Sequence, residues 1–242
     1  MIDFFVEIRM RSLIVDVLKA PVGPVPPCGV PVPGSTFKRA KTVEEVEKRL
    51  GIRVSVESGV KKPDIMNTLN DILEEYERML RANPKFRGVE LFELKLSAFH
   101  LNLNNASMGL YEGLTKTITV QPTAGHKIAR AAQLKLNAAK VKATTFRDAK
   151  NVFRHEFGHG VQHQLITEAE NFRLRDAFFD IVDDPKKLKI LKTKISSYAT
   201  TDPDEAFAEI FNLMVRGDPV SDDVYPTAVK LIRRILGKVK KS

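Results

Sequence analysis

The chain has 242 residues, 43% hydrophobic and 29% charged, long enough for one large domain with a real core and unlike a disordered or fibrous protein. A single cysteine, Cys28, excludes an internal disulfide framework, a multi-cysteine zinc ribbon and an iron–sulfur site. Lys and Arg number 39 against 30 Asp and Glu, a net charge of +9 that raises the question of a nucleic-acid or membrane-surface partner.

No stretch reaches the roughly 18 apolar residues of a membrane span. The opening MIDFFVEIRMRSLIVDVL is interrupted throughout by charge, a poor secretory signal, so a cytoplasmic or otherwise intracellular protein with no membrane anchor is expected. Residues 21–33, PVGPVPPCGVPVP, hold six of the thirteen prolines. Proline locks φ and lacks an amide donor, so residues 1–41 read as an N-terminal arm with a proline-rich segment.

Folding signals begin at Thr42. TVEE is a capping box, with Thr42 at the N-cap and Glu45 three residues on, and Gly51 closes a helix over Val43–Leu50. IRVSVE (52–57) alternates as a strand does. Helical spacing of Ile65, Leu69, Ile72, Tyr76 and Met79 predicts a long helix ending at Asn83–Pro84. VELFELKLS (89–97) and TKTITVQP (115–122) read as strands. Residues 124–145, rich in Ala and Lys, fit a helix or a solvated loop. Helices are then expected over about 146–165, across 170–195 as one or two, over Pro203–Arg216, and near 224–238 with Pro226 at its start. Strands come early and helices late, which is an α+β fold.

Three of the five histidines fall in RHEFGHGVQH (154–163). HEFGH is an H-E-x-x-H motif. Residues four apart on a helix lie one turn above each other, so His155 and His159 can meet one zinc ion, while Glu156 lies about 100° around and can reach a water on the metal. Phe157, Val161 and Leu165 give the helix an apolar stripe. Gly158 and Gly160 weaken it by about 1 kcal/mol each relative to Ala. A helix built only for stability would avoid them, whereas close backbone packing beside a metal site would use them. Two exposed histidines without metal are the plain alternative.

Catalytic zinc takes three protein ligands and an open position. The metzincin continuation needs glycine at 162 and histidine at 165, where this chain has Gln162 and Leu165. His163 cannot converge with both other histidines on one straight helix and reads as cleft wall or surface. A carboxylate on a second helix serves better. In ISSYATTDPDEAFAEIFNLMVRG (195–217), Asp202 is an N-cap, Pro203 a first helical residue and Gly217 a C-cap. Glu205 and Glu209 share a face. Glu205 could equally complete a capping box with Asp202 or answer the helix dipole.

HEFGH, followed 46 residues after His159 by Glu205 within SSYATTDPDEAFAEIF, resembles the gluzincin metallopeptidases of the lethal-factor-like group, which includes the catalytic domain of anthrax lethal factor and the Pro-Pro endopeptidases. The resemblance covers about residues 146–216. It implies a zincin-like domain over 42–242 with its catalytic core at about 89–217, and one Zn2+ held by His155, His159 and Glu205. It also implies Glu156 as general base, Tyr198 facing the oxyanion, and Glu209 orienting a ligating histidine. The implied activity is a zinc-dependent endopeptidase that hydrolyses an extended polypeptide through a zinc-bound water activated by Glu156. The strand TKTITV then suits an edge on which substrate pairs, or an ordinary sheet strand. Residues 37–79 more loosely resemble segments ahead of such domains in phage and mobile-element proteins, so a virion-associated location, and a non-catalytic or weakly catalytic virion protein retaining the zincin fold, form the second reading.

Mapped along the chain, the positive charge avoids the proposed catalytic segment. Residues 151–220 carry three more acids than bases, while 123–150 hold seven bases against Asp148. Nucleic acid is therefore not the expected partner. A docking face for an acidic protein beside a peptidase cleft fits better.

Overall fold

The computed structural model describes residues 37–60, 62–97, 109–121 and 148–237. Residues 1–36, with the proline-rich segment, the basic stretch from 123 to 147 and the lysine tail lie outside these residues. Thr42 starts α1 (Val43–Leu50) by accepting from the Glu45 amide, and Gly51 ends it in the left-handed region at φ 72°. Glu45 reaches back to the Lys41 amide rather than to that of Thr42, so the expected box closes one residue early. The chain continues through β1 (Arg53–Val56) and α2 (Lys62–Ala82), which Asn83 and a 3-10 turn over Pro84–Gly88 terminate. Then come β2 (Glu93–Leu96), β3 (Gly109–Glu112) and β4 (Thr117–Val120). The helical half holds α3 (Ala149–Leu165), α4 (Glu168–Val182), α5 (Pro185–Lys194), a 3-10 turn over Tyr198–Thr200, α6 (Pro203–Arg216) and α7 (Pro226–Ile235). The fold is α+β.

Among the described residues, four strands form one mixed sheet in the order β1-β2-β4-β3. The first three are mutually parallel, and β3 returns antiparallel to β4. Register pairs Leu94 with Ile118 and Leu96 with Val120, and all four side chains are fully buried. Two expectations need correction. The strand at 117–120 is interior, bonded on both sides, so it cannot be the edge; among the described residues the outer strand beside it is β3, whose GLYE sequence has too little alternation to announce a strand. Residues 89–92 also stop short of a strand. The Gln164 side chain takes both the amide and the carbonyl of Glu90, holding that segment against α3 instead.

α3 is the central element, packed against α2, β3, β4 and, most extensively, α6. Its apolar stripe enters a ring cluster in which Tyr76 and Phe86 stand edge-on to Phe157, and Phe86 edge-on to Phe211. Arg154 is buried with its charge answered. It pairs with Glu75 of α2 at 2.8 Å and donates to Asn212 of α6 at 2.8 Å, so one guanidinium ties three helices together. The glycines find their reason here. A Cβ on Gly158 would stand 3.0 Å from the Phe211 ring and 3.3 Å from the Ala208 Cα, and one on Gly160 would stand 3.3 Å from the Tyr111 ring. Among the described residues no helix is long and apolar enough to cross a membrane.

Candidate metal centre

Asp148 caps α3 by accepting from the Asn151 amide at 2.8 Å, so the helix is regular by the time it reaches His155. One turn then separates His155 from His159, and their Nε2 atoms stand 3.2 Å apart. Across from them, Asp202 caps α6 through the Asp204 amide. This leaves Glu205 free of capping duty, and its Oε2 lies 2.9 Å from His155 Nε2 and 3.5 Å from His159 Nε2. In a tetrahedral site with bonds of about 2.0–2.1 Å, donor atoms stand about 3.3 Å apart. The triangle's edges of 2.9, 3.2 and 3.5 Å lie on either side of that figure. Donor atoms of His155, Glu156 and His159 also lie within 4.8 Å of one another, so this group could hold a metal ion.

The two carboxylates beside the histidines differ in their surroundings. Glu156 is buried, and burial pushes its carboxyl above the usual range against the pull of both histidines. Its carboxylate accepts from the Tyr111 backbone amide of β3. Gly109 makes this approach possible, because a Cβ there would sit 2.5 Å from Glu156 Oε1 and 2.7 Å from Val152 Cγ1. Glu205 is part-exposed. Burial raises its pKa, but hydrogen bonds to the two histidines outweigh that and hold it ionised well below the ordinary carboxylate range.

Behind His155 stands Glu209, with no exposed surface. Its Oε1 lies 3.3 Å from His155 Nδ1, and its Oε2 accepts from Ser196 Oγ at 2.6 Å. A carboxylate on Nδ1 leaves Nε2 to face the cluster. Burial would lower the His155 pKa, yet the hydrogen bonds to Glu205 and Glu209 with the charge of Glu156 reverse this and set it at about 10. Ser196 serves twice, since its Oγ also accepts from the Ala199 amide and so shapes the 3-10 turn that carries Tyr198. The Tyr198 ring packs 5.9 Å from His155, and its hydroxyl bonds to Glu205. Burial and these acids push that hydroxyl up, so it stays a proton donor.

A cleft of about 220 Å³ opens over the cluster, with Gly109, Leu110, Tyr111, His163, Tyr198 and Asp202 in its walls. His163 is outside the triangle, tilted against Tyr111 at 5.7 Å, as cleft wall. All six residues singled out in the sequence, His155, Glu156, His159, Tyr198, Glu205 and Glu209, meet in this one place. Sequence reasoning missed Gly109, Tyr111, Gln162 and Ser196. The Gly-x-Tyr of β3 and the Ser before Ser197-Tyr198 carried no spacing signal that could have found them.

No protein-family model matches the chain, and no curated protein matches it either.

Proposed function

We propose that the chain is a zinc-dependent endopeptidase of zincin-like architecture, related to the lethal-factor-like gluzincins. The observation that carries this reading is the triangle of His155 Nε2, His159 Nε2 and Glu205 Oε2, with edges of 2.9, 3.2 and 3.5 Å and a raised, buried Glu156 beside it. Two imidazoles and a carboxylate are the donor set of a hydrolytic zinc site with one open position. When bound, zinc supplies Lewis acidity, polarising a carbonyl and lowering the pKa of water toward about 7.

The chain's own residues do the rest. Glu156 takes the proton of the attacking water onto its carboxylate and returns it to the leaving amine, and burial, which raises its pKa, strengthens it as a proton acceptor. Tyr198 keeps its hydroxyl proton and donates it as a hydrogen bond where the carbonyl oxygen gains charge. Glu209 and Ser196 fix the His155 ring from behind. β3, the outermost strand of the sheet among the described residues, passes the cluster at Gly109–Tyr111, and an extended peptide can lie along it in the cleft, with the Tyr111 amide already given to Glu156.

The purified protein is expected to carry about one zinc per chain and to cleave members of an unstructured peptide library. Glu156→Gln should retain the zinc while hydrolysis falls by about 10²–10⁴-fold. Full hydrolysis by that variant, or no zinc on the wild-type protein, overturns the proposal.

A further inference from the structure

Glu205 is the one member of the triangle not carried by α3. It sits in the first turn of α6, where backbone amides lack helical partners and the helix frays most readily. The close packing of Gly158 on Ala208 and Phe211 fixes the bodies of the two helices one turn or more deeper. Something else must hold the first turn.

We infer that Gln162 is a positioning residue that sets Glu205 by latching the start of α6 to α3, an inference that rests on the metal-centre reading above. Gln162 lies seven residues after His155, about 20° from the same line along the helix, and only 3% of it is exposed. Its Nε2 donates to Asp204 Oδ1 at 2.7 Å and to Asn171 Oδ1 at 3.2 Å. Both partners are acceptors there, which requires the amide to present its NH2 group. Asp204 immediately precedes Glu205. Its amide is already held by Asp202 Oδ1 at 2.8 Å, and its second oxygen lies 3.4 Å from Arg175 of α4. The residue next to the third donor is thus gripped by the cap, by α3 and by α4. Of these grips, Gln162 alone comes from the helix that carries the two histidines, so it fixes the distance between both halves of the triangle.

The test measures zinc affinity of the apoprotein by chelator competition and the absorption spectrum with Co2+ in place of zinc, with the thermal midpoint of each apoprotein as a control for folding. Asp204→Ala, which leaves the buried Gln162 in place, should weaken zinc by about 10–100-fold, the usual effect of losing an outer support. Gln162→Glu, which sets two carboxylates face to face, should weaken it at least as much and change the Co2+ spectrum. Combining Gln162→Glu with Asp204→Asn restores a donor–acceptor pair of reversed polarity and should recover affinity and spectrum toward wild type. Wild-type affinity in both single variants, or a double variant no better than Gln162→Glu alone, overturns the latch while the metal centre stands. Failure of the wild-type protein to bind zinc removes both.

Discussion

At His155, two opposed effects meet in one imidazole. Burial strips water from the ring and disfavours its charge, yet Glu205, Glu209 and Glu156 surround it closely enough that its pKa rises to about 10. Three carboxylates stand around two histidines at the floor of the cleft, a concentration of acceptors that a bound cation would relieve. Glu209 acts only through His155, since it touches the Nδ1 side and has no exposed surface. Glu209→Gln keeps its shape but removes its charge, so zinc affinity measured by chelator competition should fall by about 10–100-fold while the variant remains folded. The types of these residues were legible in HEFGH and DPDEAFAE. Whether Glu205 served as cap or donor was not, because both roles suit the third position of a helix. In the folded chain its Oε2 lies 2.9 and 3.5 Å from the two histidine Nε2 atoms, the placement on which the proposed donor role rests.

Among elements, the pairing of α3 with α6 decides the site. Gly158 looked like a weakness in the sequence and proved to be the contact point of the two helices. Gly158→Ala should gain about 1 kcal/mol of helix propensity and lose about 1–3 kcal/mol to overpacking, since the Cβ would meet a buried ring and a backbone atom that cannot swing aside. A net destabilisation of about 1 kcal/mol is expected in the urea midpoint of the apoprotein, with weaker zinc binding because His159 adjoins the displaced position. Helix ends were readable with little error. Asp202, Pro203 and Gly217 bound α6 where the sequence placed them, because caps act within one turn. β3 was not readable, since four residues of GLYE acquire strand geometry only by pairing with β4.

Across the whole molecule, α4 and α7 close the helical half through Glu170 and Arg234. The Arg234 guanidinium beside Glu170 holds its carboxyl at about 2, below the ordinary value of 4.5, although burial opposes this. A carboxyl with a depressed folded pKa contributes stability that is present above its unfolded pKa and is lost as pH falls through the folded one. Glu170→Gln still satisfies the capping box with Thr167, so it isolates the ion pair. Because the Arg234 side of the pair is about half exposed, at 48%, solvent screens it and the variant should lose only about 1 kcal/mol at pH 7. Urea unfolding should show that difference shrinking as pH falls from about 5 toward 2. Charge mapping belongs to this scale too. The net +9 of the chain coexists with a cleft lined by Glu156, Asp202, Asp204 and Glu205.

By itself the amino-acid sequence determined what short-range rules control: the capped helices, the α+β class, and the one-turn spacing that puts two histidines and a glutamate on α3. Tertiary structure decided which strand is the edge, which carboxylate completes the triangle, and why Gly109, Gly158, Gln162 and Ser196 are what they are. Each of the latter depends on atoms from different elements brought together by packing, as with Ser196 on Glu209 and Glu205 on His155. No rule acting within a turn of helix or a pair of strand residues encodes such a meeting; it exists only once the elements have packed.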